Sequence, residues 1–114
     1  MDQCILDCKN GKIVFDEEKK AVKHLMKIKT PSIEILNVIV EITNVDRTLA
    51  EVAGEADPTC NPDKVGKEMD KGDTCYDEGK YDKAIGHYKK AWQRAIQCVC
   101  KSSSDDMDED EDLE

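Results

Sequence analysis

Residues 71–94, KGDTCYDEGKYDKAIGHYKKAWQR, decide how this chain is read. The stretch reads as two short helices joined at Gly79-Lys80. Glycine permits the left-handed backbone that a tight reversal needs. Small and aromatic residues sit where the two helices would touch: Gly72 on the first, then Ala84, Tyr88, Ala91 and Trp92 on the second. Downstream, Ile85, Ala95, Ile96 and Val99 continue the inward stripe, so the last helix is predicted over 81–100. The helix before the turn is predicted over 62–78, with a thin apolar face of Val65, Met69, Cys75 and Tyr76. Asn61 stands at its N-cap position and Pro62 at its first turn, where the missing N–H of proline costs nothing.

Upstream of the hairpin, 33–53 reads as a helix and as the most buried one. Ile35, Leu36, Ile39, Ile42, Val45, Leu49 and Val52 recur at steps of three and four, and Val38 and Val40 widen the stripe. Many of these are β-branched, but the pattern runs for about five turns, longer than ordinary strands. Ser32 can cap this helix and Gly54 can end it. Asp46 and Arg47 lie among its apolar residues, where ion pairing with a neighbouring helix is expected. A first helix is predicted over 16–29, capped by Asp16, with Ala21, Val22, Leu25, Met26 and Ile28 as its apolar face. Thr30-Pro31 breaks the chain after it, because a residue before proline avoids helical backbone. Residues 1–15 are read as a cysteine-bearing lead-in, with Asn10-Gly11 as a turn signal and 13–15 as a short extended segment. The expected fold is therefore all-α, an up-down bundle of three to four helices over 16–101.

With 114 residues the chain is one domain's worth and builds a single core. The net charge of −9 is concentrated in one place: residues 105–114, DDMDEDEDLE, hold eight acids and no base, which leaves about −1 for the rest. Residues 102–114 are expected to be a disordered acidic tail, solubilising or able to meet a basic partner or cations through charge alone. A basic stripe with interleaved aromatics is missing, which argues against nucleic-acid binding. No apolar run is long enough to span a membrane. Residues 1–12 lack the charged and apolar regions of a secretory signal.

Six cysteines, Cys4, Cys8, Cys60, Cys75, Cys98 and Cys100, permit fifteen full pairings. In an up-down bundle, Cys4, Cys8, Cys60, Cys98 and Cys100 gather at one end and are the disulfide candidates. Cys75 stands about 15 residues along a helix from Cys60, roughly 20 Å away, too far for a bond, and is expected to remain a free core thiol. Reduced thiols and a cysteine-rich metal site are the alternatives, although no CxxC pair occurs. His24 and His87 read as ordinary surface or boundary residues. The chain contains no phosphate-binding glycine loop, GxSxG or HExxH motif. No cofactor, metal ligand set or catalytic residue is therefore assigned.

The hairpin resembles a single tetratricopeptide repeat over about 27 residues. Gly72, Gly79, Ala84, Tyr88 and Ala91 match the repeat's packing and turn positions, whereas Glu68 and Lys71 stand where a large aromatic and a leucine are usual. One hairpin cannot bury its own face, so the preceding helices are expected to complete the core. More broadly, GKIVFDEEKKAVKHLMKI, IVEITNVDRTLAEVA and AIGHYKKAWQRA resemble a small helical module found near the C-termini of archaeal and bacterial secreted or surface proteins. The resemblance implies a noncatalytic structural or protein-interaction role, through a protein partner or self-association, in an extracellular or cell-surface setting. The alternatives are a cytoplasmic location and a small cysteine-rich metal or redox protein.

Overall fold

The structure is a computed structural model that describes residues 10–98. Its four helices are α1 (Asn10–Met26), α2 (Ile33–Ala56), α3 (Pro62–Asp77) and α4 (Tyr81–Ile96), and there is no strand among the described residues. The fold is all-α, as expected.

Cross-helix pairs fix the directions. Phe15 meets Trp92 with ring centroids 5.4 Å apart, and Asp16 meets Lys89 at 2.6 Å, so α1 and α4 run antiparallel. Tyr76 meets Tyr81 near the hairpin turn, while Cys60 lies against Cys98 at the other end, so α3 and α4 also run antiparallel. Arg47 reaches Asp73 and Asn44 reaches Tyr76, which makes α2 antiparallel to α3. The result is up-down-up-down. α4 packs against all three other helices, whereas α1 and α2 share a shorter contact.

The central position of α4 follows from its composition. Ala84, Ile85, Tyr88, Ala91, Trp92, Ala95 and Ile96 are all buried, and the alanines let three neighbours approach one axis. Trp92, Tyr88 and Phe15 are the largest of the fully buried side chains, and burying a large apolar side chain contributes about 1.5–3 kcal/mol. Gly79 adopts φ 78°, and the chain turns through a Schellman motif in which Lys80 N–H donates to Cys75 O (2.8 Å) and Gly79 N–H to Tyr76 O (3.0 Å). At the head of α2, Ser32 Oγ accepts from Ile35 N–H at 3.2 Å, as its sequence position predicts.

Four expectations are corrected. First, α1 begins at Asn10, so Asn10-Gly11 opens a helix and 13–15 is helical. Phe15 belongs to the core with Val22 and, partly, Leu25, at spacings of seven and three. Asp16 is therefore an interior residue paired with Lys89, not a cap, and Ala21, Met26 and Ile28 are exposed. Second, α2 passes through Gly54 to Ala56, because the glycine lies against Val65 of α3 and the packing carries the helix on. Third, α2 is not the most buried helix: its apolar residues occupy a wider arc than its neighbours cover. Fourth, α4 ends at Ile96, with residues 97–98 in a turn.

Candidate functional site

The hairpin residues singled out by sequence, the turn glycine excepted, lie in the core. Gly72, Ala84, Tyr88, Ala91 and Trp92 are buried, and Gly79 sits exposed in the turn. Gly72 is required by contact: a Cβ there would fall on Tyr88 Cε1 and stand 2.7 Å from Cδ1 and 2.9 Å from Cζ. The Tyr88 hydroxyl donates to Asp73 Oδ1 at 2.6 Å. The same carboxylate receives Arg47 Nε at 2.8 Å and Arg47 Nη2 at 3.2 Å in a two-pronged pair. One carboxylate thus ties α2, α3 and α4. The guanidinium holds the Asp73 carboxyl below its usual range, while burial and the Asp73 bond push the Tyr88 phenol up. Arg47 meets the expectation of cross-helix pairing.

Asp46, its neighbour in sequence, does not. It is 0 % exposed, and among the described residues neither of its oxygens has a hydrogen-bond partner. Across the helix interface stands another acid, Glu18 of α1, whose Oε1 is likewise buried and unpartnered. Burial first, then the Glu18 carboxylate, push Asp46 up to about 9. Two ionised carboxylates have no donor between them, whereas one shared proton makes them a hydrogen-bonded pair. Glu18 could have been noticed in the sequence only through its position, between Phe15 and Val22 on the face that becomes buried.

The cysteine-bearing end gathers the loop after α2 and the end of α4. Cys60 and Cys98 lie with their sulfurs at disulfide distance and their Cα atoms 6.0 Å apart. Both were candidates from sequence; Cys4, Cys8 and Cys100 lie outside the described residues. Asn61 stands at the N-cap position of α3 but does not cap it. It adopts φ 50°, and its Nδ2 donates to Arg94 O at 3.1 Å and Gln97 Oε1 at 3.0 Å, closing the end of α4 instead. Asparagine suits this role because its short amide tolerates the left-handed region and can donate. Asp57 offers a third potential ligand atom, all three lying within 4.8 Å of one another. As a disulfide the pair binds no metal. As thiolates with Asp57, it would supply three of the four ligands of a tetrahedral soft-metal site.

Cys75 is free and half-buried. It shares a shallow open depression of about 300 Å³ with Asp70, Lys71, Thr74 and His87. Burial and Glu78 push its thiol up, the opposite of what a cysteine nucleophile needs. His87 is more enclosed than its sequence position suggests, with Nδ1 2.9 Å from Glu68 Oε1, and this contact holds Glu68 below its usual range. His24 is exposed.

The largest departure from sequence expectation is on α2. Its buried face is Ile39, Thr43, Asp46, Ala50 and Ala53. Val38, Val45 and Val52 are 43 %, 48 % and 36 % exposed, and Ile33 and Leu36 are exposed as well. Apolar residues cover more of the circumference of α2 than one buried face needs, and that excess was the available signal. Compared with known proteins, the chain matches no family model, no curated sequence and no solved structure.

Proposed function

We propose that this chain is a noncatalytic helical module that acts by binding another protein, as a structural or interaction unit of an extracellular or cell-surface assembly. The observation that carries this reading is the exposed apolar side of α2, in a molecule whose composition is 38% charged. Exposed apolar side chains concentrated on one side of a helix are the kind of surface that serves as an interaction site. Unlike that side of α2, the hairpin's packing residues are already occupied by the fold. The TPR-like character of the hairpin would thus serve to build the scaffold. The Cys60–Cys98 pair supports an oxidising compartment, where such bonds persist.

Position-specific photocrosslinking in the producing cells tests the reading. A photoreactive residue at exposed Val45 should join the chain to one discrete protein, and the same residue at exposed Lys67 should not. Equal or absent adducts at both positions would sink it.

The Asp57–Cys60–Cys98 cluster favours a second reading, a small metal or redox protein. Under it, the fully reduced chain would take up Co(II) and show thiolate-to-cobalt absorption that Asp57→Ala weakens. Absence of that band removes the reading.

A further inference from the structure

The exposed side of α2 has an internal order. Ile35, Val38, Ile42, Val45, Leu49 and Val52 follow one another at alternating steps of three and four. This is the repeat by which one helix receives another along a seam. The residues divide regularly: Ile35, Ile42 and Leu49 are half-buried at the margin of the core, and Val38, Val45 and Val52 are exposed. The bundle therefore covers one edge of the seam and leaves the other open.

The flanks of the seam differ. On one side lie Ile39, Asp46 and Ala53, which are inside the bundle. On the other lie Glu34, Glu41, Thr48 and Glu55, all exposed. The sole basic residue of α2, Arg47, is turned to Asp73 of α3. The open flank thus carries three acids, Glu34, Glu41 and Glu55, with neutral Thr48 between the last two, and no cation of α2 beside it.

We infer that this seam receives an amphipathic helix from a partner protein whose apolar stripe is bordered by lysine or arginine. The inference rests on the reading of the chain as a protein-interaction module and names the chemistry of the partner. Apolar residues of the incoming helix cover Val38, Val45 and Val52. Its basic side chains lie along Glu34, Glu41 and Glu55, with their aliphatic stems over the valines. α2 has 24 residues, about 36 Å at 1.5 Å per residue, room for about three heptads. A second copy of this chain is opposed by charge. In an antiparallel pair Glu34 would face Glu55 of the other copy, and in a parallel pair the acidic flank would face residues already buried in the other bundle.

Two synthetic helical peptides of three heptads test this against the full-length chain. They share the same apolar stripe, and one carries lysine and the other glutamate at the flanking positions. Fluorescence anisotropy should show binding of the basic peptide, at least about tenfold tighter than the acidic one and weakened by salt. Val45→Lys should abolish binding without loss of helical circular dichroism, since Val45 is exposed. Glu41→Lys should narrow or reverse the preference between the peptides. Binding insensitive to Val45→Lys would come from the acidic tail, and equal binding of both peptides would show no charge selection; either overturns the inference. So would a concentration-dependent dimer that Val45→Lys dissolves, or peptide binding that emerges only when residues 1–9 are deleted, which would make that segment the occupant. A Val45 photocrosslink to a protein without basic-peptide binding would leave the module reading standing and this inference overturned.

Discussion

Asp46 shows how much one buried residue controls. Its ordinary value is 3.8, and in the folded chain it rises to about 9. Between those limits the folded chain retains a proton that the unfolded chain releases, so rising pH favours unfolding. The cost accumulates from about pH 4 to about pH 9 and then levels off. Asp73 and Glu68 shift the other way, and their effects belong below this window, at acid pH. Asp46→Asn removes the ionisation and can donate to Glu18. Urea midpoints at pH 5 and pH 8.5 should fall with pH in the parent and much less in the variant. At pH 8.5 the variant should be the more stable of the two, because the parent must take up a proton to fold there and the variant need not. Parallel pH profiles would mean that Asp46 and Glu18 do not share a proton.

At the scale of elements, α3 and α4 are joined by a glycine contact that a methyl group would break. In Gly72→Ala the new Cβ meets the Tyr88 ring, which cannot swing away because its hydroxyl is held by Asp73 and its faces are buried. Overpacking of this kind costs about 1–3 kcal/mol, which exceeds the gain of roughly 1 kcal/mol from replacing a helical glycine with alanine. Gly66, on the same helix, has open space around its position. Gly66→Ala should therefore raise the thermal midpoint while Gly72→Ala lowers it. Opposite signs on one helix separate packing from propensity; two increases would remove the close approach from the account of the hairpin.

Across the whole molecule, the Cys60–Cys98 pair closes a loop of sequence separation 38 and fastens the end of α4 to the loop before α3. Bridging such a loop restricts the unfolded chain and stabilises the fold by about 2–4 kcal/mol. Nonreducing intact mass with alkylation should show Cys60 and Cys98 protected, and Cys75, half-buried beside an open depression, modified in the folded chain more slowly than after unfolding. Cys60→Ser with Cys98→Ser should lower stability to that of the reduced parent. Alkylation of Cys60 and Cys98 in the untreated native chain would place the protein with the reduced-thiol alternative and withdraw support for an oxidising compartment.

The local code of this chain determined its punctuation. The Ser32 cap, the Pro31 break, Pro62 at a helix start and Gly79 in a left-handed turn act through the backbone within a few residues, and each is legible where it stands. The inward stripe of α4 was legible for the same reason, since a residue pattern at helical period defines a face whatever lies opposite. What lies opposite is a tertiary matter. The start of α1, the passage of α2 through Gly54 and the turning of Asn61 toward α4 each depend on a partner distant in sequence. So does the fate of the apolar residues on α2. Their spacing establishes that a surface exists to be covered, but only the packing of α1, α3 and α4 around it decides which part the bundle covers and which it leaves open. The pairing of Asp46 with Glu18 belongs there as well, because burial and the approach of a second acid arise only once the helices are assembled.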